Sequence, residues 1–248
     1  MRAERFPWMN LGPFECYGDV MARKNHDLRI LVGAAAAITI IAWQFPAGRI
    51  ALWPFTLLAT FAHELGHGLT AMLLGADFQS IVLRPDGSGV ATWTGSVGRL
   101  GRALIAAGGL AGPAIFGALT LVLSRSPRAA RPIIGVFAFF AVFSFLRVGS
   151  VFTAAFLLTL LAAAFALFRY ASVETALFAT RVAAVELGLS VFQDMNYMFS
   201  PGIAGQASDS AAIADALLLP YWFWGGLIAA FSLTVVALGT WIALGPRK

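Results

Sequence analysis

Residues 50–74 form a membrane-length apolar stretch broken by one polar pentapeptide, His63-Glu64-Leu65-Gly66-His67. Each residue of an α-helix turns about 100°, so positions four apart lie about 40° from each other and present both imidazoles to one side. Such a pair can hold a single metal ion, with Glu64 beside it as a general base. Only 3 histidines occur in 248 residues, and two of them stand at this spacing. Two core histidines that satisfy one another would also fit it. Three polar side chains inside a bilayer are costly, however, and such groups usually mark function.

Composition fixes the solvent. Mean hydropathy is +0.80, and only 12% of residues are charged, about half the share of a soluble domain. The chain therefore reads as an all-α polytopic membrane protein in the lipid bilayer. The single cysteine, Cys16, excludes an internal disulfide and a cysteine-based zinc site. Net charge is +5, but the basic residues are mostly singles between apolar segments, the pattern of interfacial anchors. No nucleic-acid partner is expected. Residues 1–29 mix charges of both signs and have no apolar core before Ile30, so they are not a cleavable signal peptide. Phe6, Trp8, Met9, Leu11 and Phe14 make this arm amphipathic, fit to lie along the membrane surface or to form a partly ordered tail. His26, among charged neighbours, reads as a solvated residue.

Residues 30–248 read as one transmembrane domain. About seven transmembrane helices are expected, over residues 30–47, 50–74, 103–123, 133–146, 148–168, 173–192 and 221–244. A short membrane-associated β-hairpin, residues 78–94, follows the helix that carries the pentapeptide. Its two β-branched and aromatic runs flank Pro85-Asp86-Gly87-Ser88, a tight-turn sequence. The hairpin either closes a loop or offers an edge to which an extended peptide adds as a strand. Gly108 and Gly112 predict close helix contact, and Pro113 a kink. Ser208-Asp209 is expected to cap a short helix over residues 210–219. With seven spans and the N-terminus inside, the arm and the hairpin face the cytoplasm. The loop bearing Arg125, Arg128 and Arg131 then faces outward, against the usual charge bias.

A catalytic zinc site needs three protein ligands and an open position. His26 and seven acidic residues are candidates for the third. Helix direction favours Asp194, at the C-terminal end of the span over residues 173–192, which runs parallel to the histidine helix. Asp209 lies on the same side, in a loop or short helix, and is the rival. Asp194 ranks first because sites are held on rigid elements, whereas Asp209 suits an N-cap.

The order of these features resembles the site-2 protease family of intramembrane zinc metallopeptidases, and more narrowly its peptidase M50B-like branch. The features are HELGH in a span, a β-hairpin, a Gly-Pro-containing span and a later span ending in an aspartate. Ser208-Asp209, followed by an alanine-rich stretch, a proline and tryptophans, adds to the likeness. The resemblance implies that His63 and His67 bind Zn2+, that Glu64 is catalytic, and that an aspartate on a later span, here Asp194, completes the site. It implies an intramembrane zinc metalloprotease in a bacterial cell membrane. Its substrate would be a transmembrane protein or peptide, hydrolysed through a zinc-activated water. Well-known members carry the aspartate in Leu-Asp-Gly or Pro-Asp-Gly, whereas Asp194 stands in Gln-Asp-Met. The one Pro-Asp-Gly here is residues 85–87, in the hairpin turn. The competing reading is a non-proteolytic metal-binding membrane protein, either a pseudoprotease or a transporter.

Overall fold

The computed structural model describes residues 13–203 and 206–245, with side chains from residue 28 onward except residue 203. Most of the expected surface arm, and the side chains of Phe14, Cys16 and His26, lie outside this set. The described chain is mostly helical. In order it forms α1 (Pro13–Ala42), α2 (Pro46–Leu73), β1 (Asp77–Leu83), β2 (Gly89–Thr94), α3 (Gly98–Leu123), α4 (Ala130–Phe145) and α5 (Val151–Arg169). It continues with α6 (Val173–Gln193), the single turn α7 (Met195–Met198), β3 (Gly202–Ile203), β4 (Gln206–Ala207), α8 (Asp209–Leu217) and α9 (Tyr221–Leu244).

Local chemistry accounts for most boundaries. Proline opens α2 at its first turn, where the missing N–H costs nothing. Past the end of α2, Gly75 takes φ +81°, the left-handed conformation that lets a helix stop. The side chains of Ser150 and Ser172 accept the backbone N–H of Thr153 and Thr175, capping α5 and α6.

Among the described residues, five helical segments are long and apolar enough to cross a membrane: Gly98–Leu123, Pro127–Phe145, Val151–Arg169, Val173–Met198 and Tyr221–Leu244. Their outer faces expose Phe139, Leu158, Phe165, Leu227, Leu238 and Trp241, a coat suited to lipid rather than water. Helix α2 falls short on hydropathy because it carries the HELGH polar groups, yet it packs against α3. A Cβ at Gly66 would collide with the Gly108 carbonyl, and one at Gly112 with the Ala62 carbonyl. The two backbones meet as the small residues of α3 predict.

Helix α1 ends at Ala42, short of the expected span over residues 30–47. Among the described side chains its apolar part is Leu28–Ala42. Leu28 joins a buried cluster with Leu121, Ala184 and Ala243, while Thr39 hydrogen-bonds Glu186.

The hairpin forms where expected, with Ile81 opposite Ala91 and Val82 opposite Val90. It is docked along α2: Trp53 donates to the Pro85 carbonyl at 2.9 Å and Thr60 to the Gly87 carbonyl at 2.6 Å. The main apolar core lies behind it, where Leu58, Phe61 and Leu65 of α2 meet Phe78, Ile81 and Leu83 of β1 and Leu157 of α5. The α4–α5 corner closes the outer side, with the Arg147 guanidinium 4.2 Å from the Phe143 ring centroid and donating to the Phe78 carbonyl at 3.1 Å.

Candidate metal centre

His63 and His67 project from one face of α2 toward the N-terminus of α8. Nε2 of His63 lies 2.9 Å from Oδ2 of Asp209, Nε2 of His67 lies 3.3 Å from the same oxygen, and the two Nε2 atoms are 3.1 Å apart. Nδ1 of His67 donates to the Ile105 carbonyl at 2.8 Å. That bond turns the ring and leaves Nε2 as a bare lone pair when the imidazole is neutral. Nitrogen and oxygen ligands on a zinc tetrahedron of about 2.0–2.1 Å radius lie roughly 3.3 Å apart. The triangle seen here needs only a few tenths of an ångström to admit such an ion. Two imidazoles and a carboxylate aimed at one point are also the donor set zinc prefers.

Asp209, not Asp194, joins the histidines. Asp194 is the C-cap residue of α6 and borders a neighbouring cavity with Glu64 and Tyr197, but it is not in the group of ligand atoms within 4.8 Å of one another. The chain between them explains this. After α7 it reverses through β3 and β4, and residues 208–210 are tied back to residues 197–200. Ser208 donates to the Ser200 carbonyl at 2.6 Å, Ser210 to the Met198 carbonyl at 2.5 Å, and Tyr197 to the Asp209 carboxylate at 3.3 Å. Ser208 supplies the N-cap of α8, accepting the Ala211 N–H at 3.2 Å. The Asp209 side chain is thereby spared the capping role and faces the histidines. Asp86, of the hairpin Pro-Asp-Gly, is occupied elsewhere. The Ser88 N–H and hydroxyl bond its Oδ1 at 2.9 and 2.7 Å and hold its carboxyl below the usual range.

Glu64 is 6% exposed and sits against β2, close enough that a Cβ at Gly89 would lie 2.7 Å from its Cγ. It borders two cavities. One, of about 530 Å³, also holds His63, His67, Asp209, Ala91 and Trp93, with Arg102 and Asp215 among its lining residues. The other, of about 710 Å³, is lined by polar groups including Thr60, Ser190, Gln193 and Asp194.

The edge of β2 faces the first cavity. Ile81 donates its N–H to the Arg147 carbonyl and accepts the Gly149 N–H, each at 2.9 Å, so its backbone groups point away from β2. Its partner Ala91 is then in a non-hydrogen-bonded pair and directs its own N–H and C=O away from β1. Thus β1 is covered by the α4–α5 corner, while the outer edge of β2 faces Glu64, to which the Ala91 N–H is hydrogen-bonded.

The sequence family described as Peptidase M50B-like matches residues 31–239, most of the chain. The protein belongs to the Peptidase M50B-like family, within the site-2 proteases. No curated protein and no solved structure matches it. Membership in a membrane peptidase family agrees with the apolar helices and with a His-His-Asp group able to hold a metal.

Proposed function

We propose that the protein is an intramembrane zinc metalloprotease whose ligands are His63, His67 and Asp209 and whose general base is Glu64. The convergence of three ligand atoms from α2 and α8, with Glu64 one residue away, carries this reading. A zinc ion held there supplies Lewis acidity and brings the pKa of water toward neutrality. Glu64 accepts the proton of the attacking water and returns it to the leaving amine nitrogen. The outer edge of β2 holds the substrate extended through backbone hydrogen bonds, as strand addition requires, the substrate displacing Glu64 from the Ala91 N–H. An unwound segment lying on that edge passes beside Glu64. The polar 710 Å³ cavity offers water a path to the same carboxylate.

The same reading extends to placement in the membrane. Helices α2, α3, α4, α5, α6 and α9 cross, six in place of the expected seven, and α1 lies across one end of the bundle. Arg29 donates to the Leu244 carbonyl, Arg125 to the Gly245 carbonyl and Arg181 to the Ser124 carbonyl, so the ends of α3 and α9 share a face with α1. That face also carries Arg128, Arg131 and Arg169, whereas the hairpin face carries Arg84, Arg99, Arg102 and Arg147. The more basic face belongs in the cytoplasm. The N-terminus stays inside, and the metal centre opens toward the opposite side.

The test is cleavage of a transmembrane peptide by purified protein in lipid vesicles. Cleavage that stops on zinc chelation and returns with zinc supports the proposal. Bound zinc with no cleavage across a panel of transmembrane peptides favours the pseudoprotease.

A further inference from the structure

We infer that Tyr197, a residue outside the ligand set, is the positioning residue for Asp209, an inference that rests on the metal-centre reading above. Its hydroxyl donates to Oδ2 of Asp209 at 3.3 Å and accepts the Asp209 backbone N–H at 3.2 Å. One phenol oxygen thus ties the side chain and the main chain of the same residue. An aspartate on the first turn of a short helix has several rotamers open to it, and the two-point hold selects the one that faces the histidines. The Tyr197 ring also stands edge-on to His63, with centroids 6.3 Å apart, and so walls the imidazole from the side.

The remaining partners of the Asp209 carboxylate among the described residues are His63 and His67 themselves. Coordination of a metal by those rings takes their nitrogens out of hydrogen bonding. The Tyr197 hydroxyl is then the side-chain donor left to orient the carboxylate. Outer-shell donors of this kind typically contribute about 10–100-fold to metal affinity.

Zinc affinity measured in detergent against a chromogenic chelator, for wild type, Tyr197→Phe, Asp209→Ala and the double variant, tests the role. Tyr197→Phe keeps the ring and is expected to weaken zinc binding by about 10–100-fold. In the Asp209→Ala background it is expected to change nothing further, because its effect passes through that carboxylate. Visible absorption of the cobalt(II)-loaded protein, which reports the ligand set, should shift in Tyr197→Phe. Wild-type affinity in Tyr197→Phe overturns the inference and leaves the metal centre standing. So does an equal loss in the Asp209→Ala background, which would show that the hydroxyl acts elsewhere. Wild-type protein that binds zinc no better than His63→Ala removes the metal centre, and the inference with it.

Discussion

His63, Glu64 and His67 are legible in the sequence because their relation is local: helix periodicity alone puts two imidazoles on one face with a carboxylate beside them. Asp209 is not legible in the same way. Its place depends on a chain reversal between Asp194 and Ser208 that has no periodic signal and is held by hydroxyl-to-carbonyl bonds from Ser208 and Ser210. Helix direction favoured Asp194 at the end of α6; the turn at α7 and the Ser208 cap bring Asp209 to the histidines. The roles are separable by mutation. Glu64→Gln keeps the shape of the side chain and removes its basicity. Cleavage should fall by about 10²–10⁴-fold while zinc content stays near that of wild type. Retained cleavage, or loss of zinc, would show that Glu64 is not the base.

Helices and the hairpin were readable as elements because apolar runs, capping serines and the Pro-Asp-Gly-Ser turn each act within a few residues. What hydropathy does not encode is direction. The apolar part of α1 has a composition suited to a span, and its proposed place across the end of the bundle depends on long-range partners: Glu186 for Thr39, and the cluster of Leu121, Ala184 and Ala243 for Leu28. The hairpin likewise gains its meaning from its neighbours. A lone two-stranded sheet is marginal, and here α2 and the α4–α5 corner hold it so that the outer edge of β2 faces Glu64. Ala91→Pro removes the outward N–H that bonds Glu64 without touching the β1–β2 ladder, the placement at which strands tolerate proline. We expect kcat/KM for a membrane peptide to fall by about 2–10-fold, the worth of one hydrogen bond, with zinc content unchanged. Unaltered kcat/KM would remove β2 from substrate binding.

In the proposed arrangement six crossing helices surround a centre built from α2 and α8, with basic residues gathered at the end away from it. Had α1 crossed as well, the arginine loop between α3 and α4 would face outward, against the charge bias. The proposed course across the bundle end removes that conflict. Cysteine labelling checks the arrangement in a Cys16→Ser background. Ser126→Cys should react only from the cytoplasmic side, and Ser88→Cys should not; the reverse pattern would invert the orientation. The central claim, that His63, His67 and Asp209 form one zinc site, is tested most directly by counting zinc per mole of purified protein. Wild type and Asp194→Ala should each hold close to one equivalent, and Asp209→Ala and His63→Ala well under half. Zinc retained in Asp209→Ala but lost in Asp194→Ala would contradict the account.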